Sequence, residues 1–432
     1  MLQLKWIKQN DEKVQTAADQ KGINISIKEL LILDEEKRKL RKKVEDLRFK
    51  RNKLSQEIGL LKRSGEDGLI EELKNKVKDI NEKLLTIEFD LKNVENQFDE
   101  MMLQVPNIIS EDTPIGSSDK DNVEIRRVGE PMIENKQLKD HVALGEMHDM
   151  IDIARGVKTG GSRSYFLKGI GVLLHRAVEQ LAFDILIKKG LTPLEVPVMV
   201  RTDALTNTGY FPLGKDQTYK LVDENKWLVG SSEVPLVSYY ANEIVDVDLP
   251  LKFSASSKCF RSEVGSSGRD VHGLYRVHQF EKVEQVVLCK ADEEISNQLL
   301  LEITSNAEEI LQLLELPYRV MAVCSGDMSQ KTYKQFDIET WMPSRNAYGE
   351  THSSSNLLDF QTLRSNIRYR DENGELNFCY SLNNTAIASP RILIPLLENH
   401  QQEDGSIQIP KALQKYMNGM EKIVPVKMKC CK

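Results

Sequence analysis

The 432-residue sequence is short of several features, and each shortage argues against a class of protein. Its cysteines, Cys259, Cys289, Cys324, Cys379, Cys430 and Cys431, include no Cys-x-x-Cys pair and no histidine at zinc-ligand spacing. That argues against a disulfide framework or a structural zinc site, and reduced thiols are expected. No stretch approaches the ~18 apolar residues a membrane span needs. The opening MLQLKWIKQNDEK has neither the apolar core of a signal peptide nor the Arg- and Ser-rich, acid-poor look of a transit peptide. The expectation is a cytoplasmic protein with no membrane partner. A phosphate-cradling GxxxxGK[ST] loop and a GxGxxG turn are both missing, so neither a P-loop nor a Rossmann route to a nucleotide is supported. The net charge of −7 announces no nucleic-acid partner either, and a basic surface for RNA would have to be local.

Proline is absent from about Ile27 to Met102, and there the sequence becomes periodic. Leu33, Lys37, Leu40, Val44, Leu47, Arg51, Leu54, Ile58 and Leu61 alternate spacings of four and three, a heptad seam with two polar interruptions. Ile70, Leu73, Val77, Ile80, Leu84, Ile87, Leu91, Val94, Phe98 and Met101 repeat the pattern without a break. Between them, Ser64-Gly65-Glu66-Asp67-Gly68 suits a chain reversal. The expected product is an antiparallel helical hairpin, and ~37 residues per arm give a length of roughly 55 Å. Its first helix is rich in basic residues: Lys37, Arg38, Lys39, Arg41, Lys42, Lys43, Arg48, Lys50, Arg51 and Lys53. A basic stripe suits a phosphate backbone, but a solvated face on a scaffolding or dimerisation hairpin is an equally open reading.

The heptad stops at Pro106, residues 106–123 read as a polar linker, and from Glu124 the character becomes mixed α/β. A helix is expected from Gly169 to Lys189, and strands at Trp227–Val229 and Val286–Leu288. A hairpin is expected with Asp371-Glu372-Asn373-Gly374 between Ile367–Arg370 and Asn377–Leu382. The stretch KCFRSEVGSSGRDVHGLYRVHQFEKVEQ, Lys258 to Gln285, reads as two antiparallel strands around a Gly/Ser-rich loop. Strand alternation puts Arg261 and Glu263 on one face, and Phe280, Lys282 and Glu284 on one face. Such charges are expensive to bury without a ligand, though an exposed charged hairpin also satisfies the pattern.

FRSEVGSSGRD followed by GLYRVHQFEKVEQ resembles motif 2 of the class II aminoacyl-tRNA synthetases, in the form found in seryl-tRNA synthetases. Three further segments agree, in the family's order. Gly230-Ser231-Ser232-Glu233 resembles the serine-binding loop, and Glu350 to Asn356 followed by Asp359-Phe360-Gln361 resembles the nucleotide-site segment. Leu382 to Arg391, running into Leu397-Glu398-Asn399-His400-Gln401, resembles motif 3. Motif 1 is placed from Arg163 to Pro197. With the hairpin, the resemblance spans essentially the whole chain.

The resemblance implies an α+β fold: an N-terminal tRNA-binding domain (1–105) with a long antiparallel coiled coil (about 27–102), the linker, and a class II catalytic domain (124–432) on a mostly antiparallel sheet. It implies activation of L-serine by ATP to seryl-adenylate, then transfer to tRNA(Ser), with tRNA(Sec) as a further acceptor, by a homodimer using Mg2+. Serine's own carboxylate attacks the α-phosphorus, so the protein need only position anions and neutralise charge. Arg261 would grip the α-phosphate and Arg391 the γ-phosphate, with Glu350 completing the catalytic set. Glu350 and Ser353 would hold Mg2+. ATP contacts would further include Ser262, Glu263, Val277, Phe280 (stacked on adenine), Thr351 and His352, although neither His352 nor His278 is assigned a catalytic role. Serine would meet Ser231, Ser232, Glu233, Arg261, Glu284, Asn383 and Thr385. The tRNA would meet Lys37, Arg38, Arg41, Lys42, Arg48 and Arg51.

The sequence departs from the family's usual pattern at Ser231 (commonly threonine), His272 (commonly arginine), Gly349 (commonly basic), Ser354 (often cysteine) and Leu363 (often arginine). These departures suggest a divergent member, and one alternative is a paralogue that supplies seryl-tRNA or seryl-adenylate to a biosynthetic pathway or loads a carrier protein; the other is an inactive interaction protein.

Overall fold

The computed structural model describes residues 2–64, 67–131, 138–264 and 272–425. Gly65 and Glu66 of the expected reversal, the Gly/Ser-rich loop 265–271, and Cys430 and Cys431 lie outside the described residues. Contacts divide the chain into two units. One comprises Gln3–Asp19 and Ile23–Val105; the other comprises Met1–Leu2, Gln20–Gly22 and Pro106–Lys432.

The first unit is dominated by two long helices, α1 (Ile27–Ser64) and α2 (Ile70–Gln104), packed along their length. Every position marked by the four-three spacing on both helices is buried or half-buried, so the heptad seam is the contact surface. The two polar interruptions find different partners. Lys37 places its ammonium 3.1 Å from the centre of the Phe98 ring, and Arg51 donates to Asn52 at 3.0 Å. Buried Asp34 accepts from Lys8 and lies 3.0 Å from the Arg38 guanidinium. Arg41 reaches Glu95 at 2.6 Å and Arg48 reaches Glu88 at 2.8 Å, both across the hairpin. At the far end α2 stops at Gln104, where Pro106 disfavours a helical residue before it and cannot donate to the next turn.

The second unit is built on eight strands: β1 (Val123–Val128), β2 (Thr192–Pro193), β3 (Leu251–Phe260), β4 (Gln279–Cys289), β5 (Tyr318–Ala322), β6 (Lys334–Met342), β7 (Ala347–Asn356) and β8 (Tyr380–Ser389). Their order across the sheet is β1-β5-β6-β7-β8-β4-β3-β2, antiparallel throughout except for β2 beside β3. Helices α3 (Ile170–Lys188) and α4 (Glu293–Leu313) pack against β4 and β8. Alternation decides which side chains meet them: Val283, Val287 and Cys289 join the apolar cluster with Leu174, Val178, Leu300 and Ile303. Phe280, Lys282 and Glu284 point the other way and line a cavity.

One expectation changes in detail. The run Asn377–Leu382 is not one strand. Leu376–Phe378 pairs with Arg368–Arg370, whereas Tyr380 begins β8. The switch falls at buried Cys379, whose N–H bonds to Ile367. In the segment after Pro106, Asn107 donates to the carbonyls of Lys331 (3.1 Å) and Leu357 (2.8 Å), and Ser110 N–H to Tyr333. Among the described residues no helix is long and apolar enough to cross a membrane.

Within the sheet sits a buried chain of amides. Gln285 accepts from Asn306 of α4 at 2.8 Å and donates to Asn384 at 2.5 Å, and Asn384 donates to Ser354 at 2.7 Å. All four are essentially sealed from water. Such a network stabilises only when complete, because an orphaned buried amide costs its full desolvation. Replacing Gln285 with Leu, which strands Asn306 and Asn384, is expected to lower unfolding free energy by about 2–4 kcal/mol in urea melts, with no change in secondary structure at low denaturant.

Candidate active site

The cavity, about 280 Å3, opens on the sheet face turned away from α3 and α4. It gathers side chains far apart in sequence, each delivered by a strand or a strand end. Phe280, Lys282 and Glu284 come from β4; Asn383, Thr385 and Ser389 from β8; Glu350, Thr351, Ser353 and Ser355 from β7. Arg261 follows β3 and Arg391 follows β8.

One cluster is a buried double ion pair. Glu233 opens a short helix (Glu233–Ser238) and receives four donors: Lys331 at 2.5 Å, Gln361 at 2.7 Å, Asn383 at 2.8 Å and the Tyr210 hydroxyl at 2.7 Å. Burial pushes its carboxyl pKa up, but Lys331 and the hydrogen bonds outweigh this and the net shift is downward. Glu284 behaves oppositely. Burial raises it, Lys282 only partly offsets that, and the Glu233 charge adds to the rise. The Lys282 ammonium lies 2.7 Å from Glu284 Oε2, yet it approaches at an angle that leaves this oxygen without a well-aligned donor. Lys282 also reaches the Thr385 hydroxyl at 3.4 Å, which ties β4 to β8.

A second cluster is rich in guanidinium and aromatic groups. Arg261 stands 5.3 Å from the Phe280 ring centre and donates to the Gly230 carbonyl. Arg391 lies 4.4 Å from the Tyr275 ring, donates to the carbonyls of Tyr275 and Glu350 at 3.0 Å each, and approaches the Glu350 carboxylate at 3.6 Å. Glu263, at a positive φ of 50°, sits 3.6 Å from Arg276. On β6, Asp337 is buried opposite Ser353 in register. Burial, then the nearby Glu350 charge, keep its carboxyl protonated well above the usual range.

Arg261, Glu263, Val277, Phe280, Glu350, Thr351, Ser353 and Arg391 all line this cavity, as do Glu233, Glu284, Asn383 and Thr385. Ser231, Ser232, Ser262 and His352 do not. Ser231 accepts from the Glu233 N–H, Ser232 bonds to Ser257, and Ser262 donates to the Asp216 carbonyl, so each shapes a wall from behind. His352 is displaced by a β-bulge. Ile338 faces His352 and Glu339 faces Glu350, which leaves Thr351 as the extra residue. Glu350 and His352 therefore leave β7 on different sides, and His352 is sealed, bonded to Thr351 at 2.8 Å. Tyr210, Tyr275, Lys282, Lys331 and Gln361 are contributors to which the sequence reading assigned no role. Lys331 and Tyr210 carry no local signal, whereas Lys282 shares the alternating face of Glu284 and was legible there.

The departures noted in the sequence find local partners. Ser354 accepts from Asn384 within the amide chain. A side chain at Gly349 would press on Met342 at 3.1 Å. His272 lies 3.1 Å from Asp140.

A sheet of this order, with an arginine at the end of each of two strands and a carboxylate-lined cavity between them, is the catalytic core of a class II aminoacyl-tRNA synthetase. Residues 219–400 match the family model of the tRNA synthetase class II core domain (G, H, P, S and T). Residues 1–109 match the seryl-tRNA synthetase N-terminal domain. The chain is 44% identical to the serine–tRNA ligase of Deinococcus radiodurans, with 98% of each covered, and 42% identical to that of Dictyoglomus turgidum, with 92% of each covered. The crystal structure of seryl-tRNA synthetase from Pyrococcus horikoshii complexed with ATP superimposes with a TM-score of 0.88 at 38% identity, covering 99% of this chain and 100% of that one. A Naegleria fowleri cytoplasmic serine–tRNA ligase in complex with AMP gives 0.81 at 28% identity, covering 96% of each. The chain belongs to the seryl-tRNA synthetase family.

Burial pushes His352 down to about 3, so it folds neutral. Below its unfolded value of ~6.5 the unfolded chain binds a proton that the folded one does not. Stability is therefore lost as pH falls from about 6.5 toward 3, by ~1.4 kcal/mol per unit from this residue. Urea melts between about pH 6.5 and 5 should show a shallower decline for His352→Gln than for the unaltered chain.

Proposed function

We propose that this chain, a serine–tRNA ligase by family, binds L-serine at the Glu233–Glu284 cluster and ATP at the Arg261–Phe280–Arg391 cluster. The observation that carries the reading is a buried carboxylate pair sharing one cavity with two guanidiniums. An ammonium suits the first and phosphates suit the second. Serine's ammonium would pair with Glu233 and Glu284, and its hydroxyl would bond within the Asn383 and Thr385 lining. A lining that pairs with a hydroxyl rejects alanine, because its own buried polar groups would otherwise be left unpaired.

Arg261 would hold the α-phosphate while serine's carboxylate oxygen attacks phosphorus and pyrophosphate leaves; Phe280 would stack on adenine. Arg391 would take the γ-phosphate. Glu350 and Ser353 offer hard oxygen donors, with the Asp337 carboxyl close enough to feel the Glu350 charge, and this set fits a divalent cation such as Mg2+. Bound there, Mg2+ would neutralise phosphate charge. In the second step the seryl group passes to the terminal 3′-hydroxyl of tRNA(Ser), or of tRNA(Sec) where it exists. The hairpin would read the tRNA through Lys37, Arg38, Arg41, Lys42, Arg48 and Arg51. Exposed Lys43, Lys50 and Lys53 add to the basic charge of the same helix. A cytoplasmic homodimer completes the reading.

Serine-dependent ATP–pyrophosphate exchange followed by charging of tRNA(Ser) tests it. Both are expected; no exchange would sink the enzyme reading, and exchange without charging would favour a carrier-loading paralogue. Deleting residues 28–104 should abolish charging and spare exchange, and surviving charging would leave the hairpin structural. Lys331→Met removes the cation that holds Glu233 ionised. It is expected to raise the KM for serine by about tenfold or more in exchange assays, with the KM for ATP little changed.

A further inference from the structure

Behind the catalytic strand, on the side opposite Phe280, Lys282 and Glu284, lies a cluster that the chemistry above does not use. His175 and Glu179 stand four residues apart on α3 and so share one helix face. Glu281 of β4 points toward them, its alternation setting it apart from its cavity-lining neighbours Phe280 and Lys282. The His175 Nε2 atom is 3.3 Å from Glu179 Oε1 and 3.9 Å from Glu281 Oε2. One ligand atom from each of the three residues lies within 4.8 Å of the other two.

We propose that His175, Glu179 and Glu281 form a binding site for a divalent transition-metal ion of zinc type, separate from the nucleotide's cation site. Four-coordinate zinc with bonds of ~2.0–2.2 Å sets its ligand atoms roughly 3.3–3.5 Å apart. The His175–Glu179 separation already has that value, and Glu281 needs only a small rotation to join. One imidazole nitrogen with two carboxylates is a donor set that zinc, manganese or cobalt accepts, while magnesium prefers oxygen alone. The two carboxylates neutralise the ion's charge, and water completes the coordination.

Two further observations point to a ligand. Glu179 is about nine-tenths buried, and although the side chain shares a hydrogen bond with Glu281, its Oε1 has no hydrogen-bond partner. A buried carboxyl oxygen without a partner is costly, and a metal bond to Glu179 would supply one while displacing the proton the pair now shares. The His175 ring is also fixed from behind: Nδ1 lies 2.6 Å from the Ser389 hydroxyl. Nε2 faces the carboxylates and hydrogen-bonds toward Glu281; on binding an ion it would give up that proton, with Nδ1–H donating to Ser389, the outer-shell arrangement typical of metal-bound histidine. Lys258, opposite Glu281 in the β3–β4 register, and Arg176 are the cations close enough to compete. Neither forms an ion pair with Glu179 or Glu281 by distance among the described residues. Because Ser389 lies two residues before Arg391, an ion here would tie α3, β4 and the end of β8 into one unit.

The test uses the full-length protein, stripped of metal and free of nucleotide, titrated with Co2+ and then Zn2+. One equivalent of Co2+ should give the visible band of a four-coordinate ion and be displaced by Zn2+, and Zn2+ should raise the Tm. Glu179→Gln and His175→Gln should each weaken binding by about tenfold or more. Glu350→Gln, which alters the cavity instead, should leave the band unchanged. X-ray absorption of the zinc-loaded unaltered protein, expected to show one imidazole and otherwise oxygen neighbours, decides the matter even if a variant fails to fold. Absence of the band, undiminished affinity in Glu179→Gln, or a coordination shell without imidazole would overturn the proposal.

Discussion

The Glu233 carboxylate is the constraint on which the rest of the catalytic unit depends. A charge with 3% of its surface exposed survives only if the protein replaces the water it has lost. Here it does so with four donors from four separate stretches of chain: Tyr210, Lys331, Gln361 and Asn383. Satisfying one carboxylate thus pulls the 329–332 loop, a short helix at 360–365 and strand β8 to one point, and the cavity is the space they enclose. Breaking such a pair on one side costs about 3–5 kcal/mol, far more than an exposed pair contributes. With Glu284 and Lys282 added, the cluster holds two carboxylates and two ammoniums. It is near neutral overall but strongly structured in charge, which suits a zwitterionic ligand better than a simple anion or cation.

Much of this was legible in the sequence because it is periodic. The four-three spacing located the hairpin seam residue by residue. Strand alternation put Phe280, Lys282 and Glu284 on one face, the face that lines the cavity. What escaped lacked periodicity or broke it. Lys331 and Tyr210 reach Glu233 from loops whose residues form no pattern with it. The Gln285–Asn306–Asn384–Ser354 chain joins a helix to three strands, and pairings at such separations leave no trace in a single sequence. His352 shows a different limit. Its segment was identified by resemblance, but the extra residue at Thr351, which sends Glu350 and His352 to different sides of β7, has no signature in the sequence.

The division at Cys379 has the same origin. The run from Asn377 to Leu382 satisfies the strand pattern continuously, yet its two halves pair with different partners because the preceding turn fixes only the first half. Strand propensity reports that a residue suits a pleated surface, not which surface. The partition is settled by burial: Cys379 is fully enclosed, and beyond it Leu382 packs into the core shared by α3 and α4.

Electrostatics works in two regimes in this chain, and the difference bears on what each unit can do. In the cavity the ion pairs are dry, multiply hydrogen-bonded and held by elements that cannot move independently, so they set a fixed charge template. On the hairpin, Arg41 and Arg48 keep more than half of their side-chain surface in water while paired to Glu95 and Glu88. Such pairs are worth at most ~1 kcal/mol and are screened by salt. An arginine in that state can release a carboxylate for a phosphate at little cost, and each phosphate gained also frees condensed counterions. The acidic partners on α2 therefore do not argue against a nucleic-acid surface. Arg41 and Arg48 stay mostly in water even when paired, so the chain's net charge of −7 does not decide the local field along the hairpin.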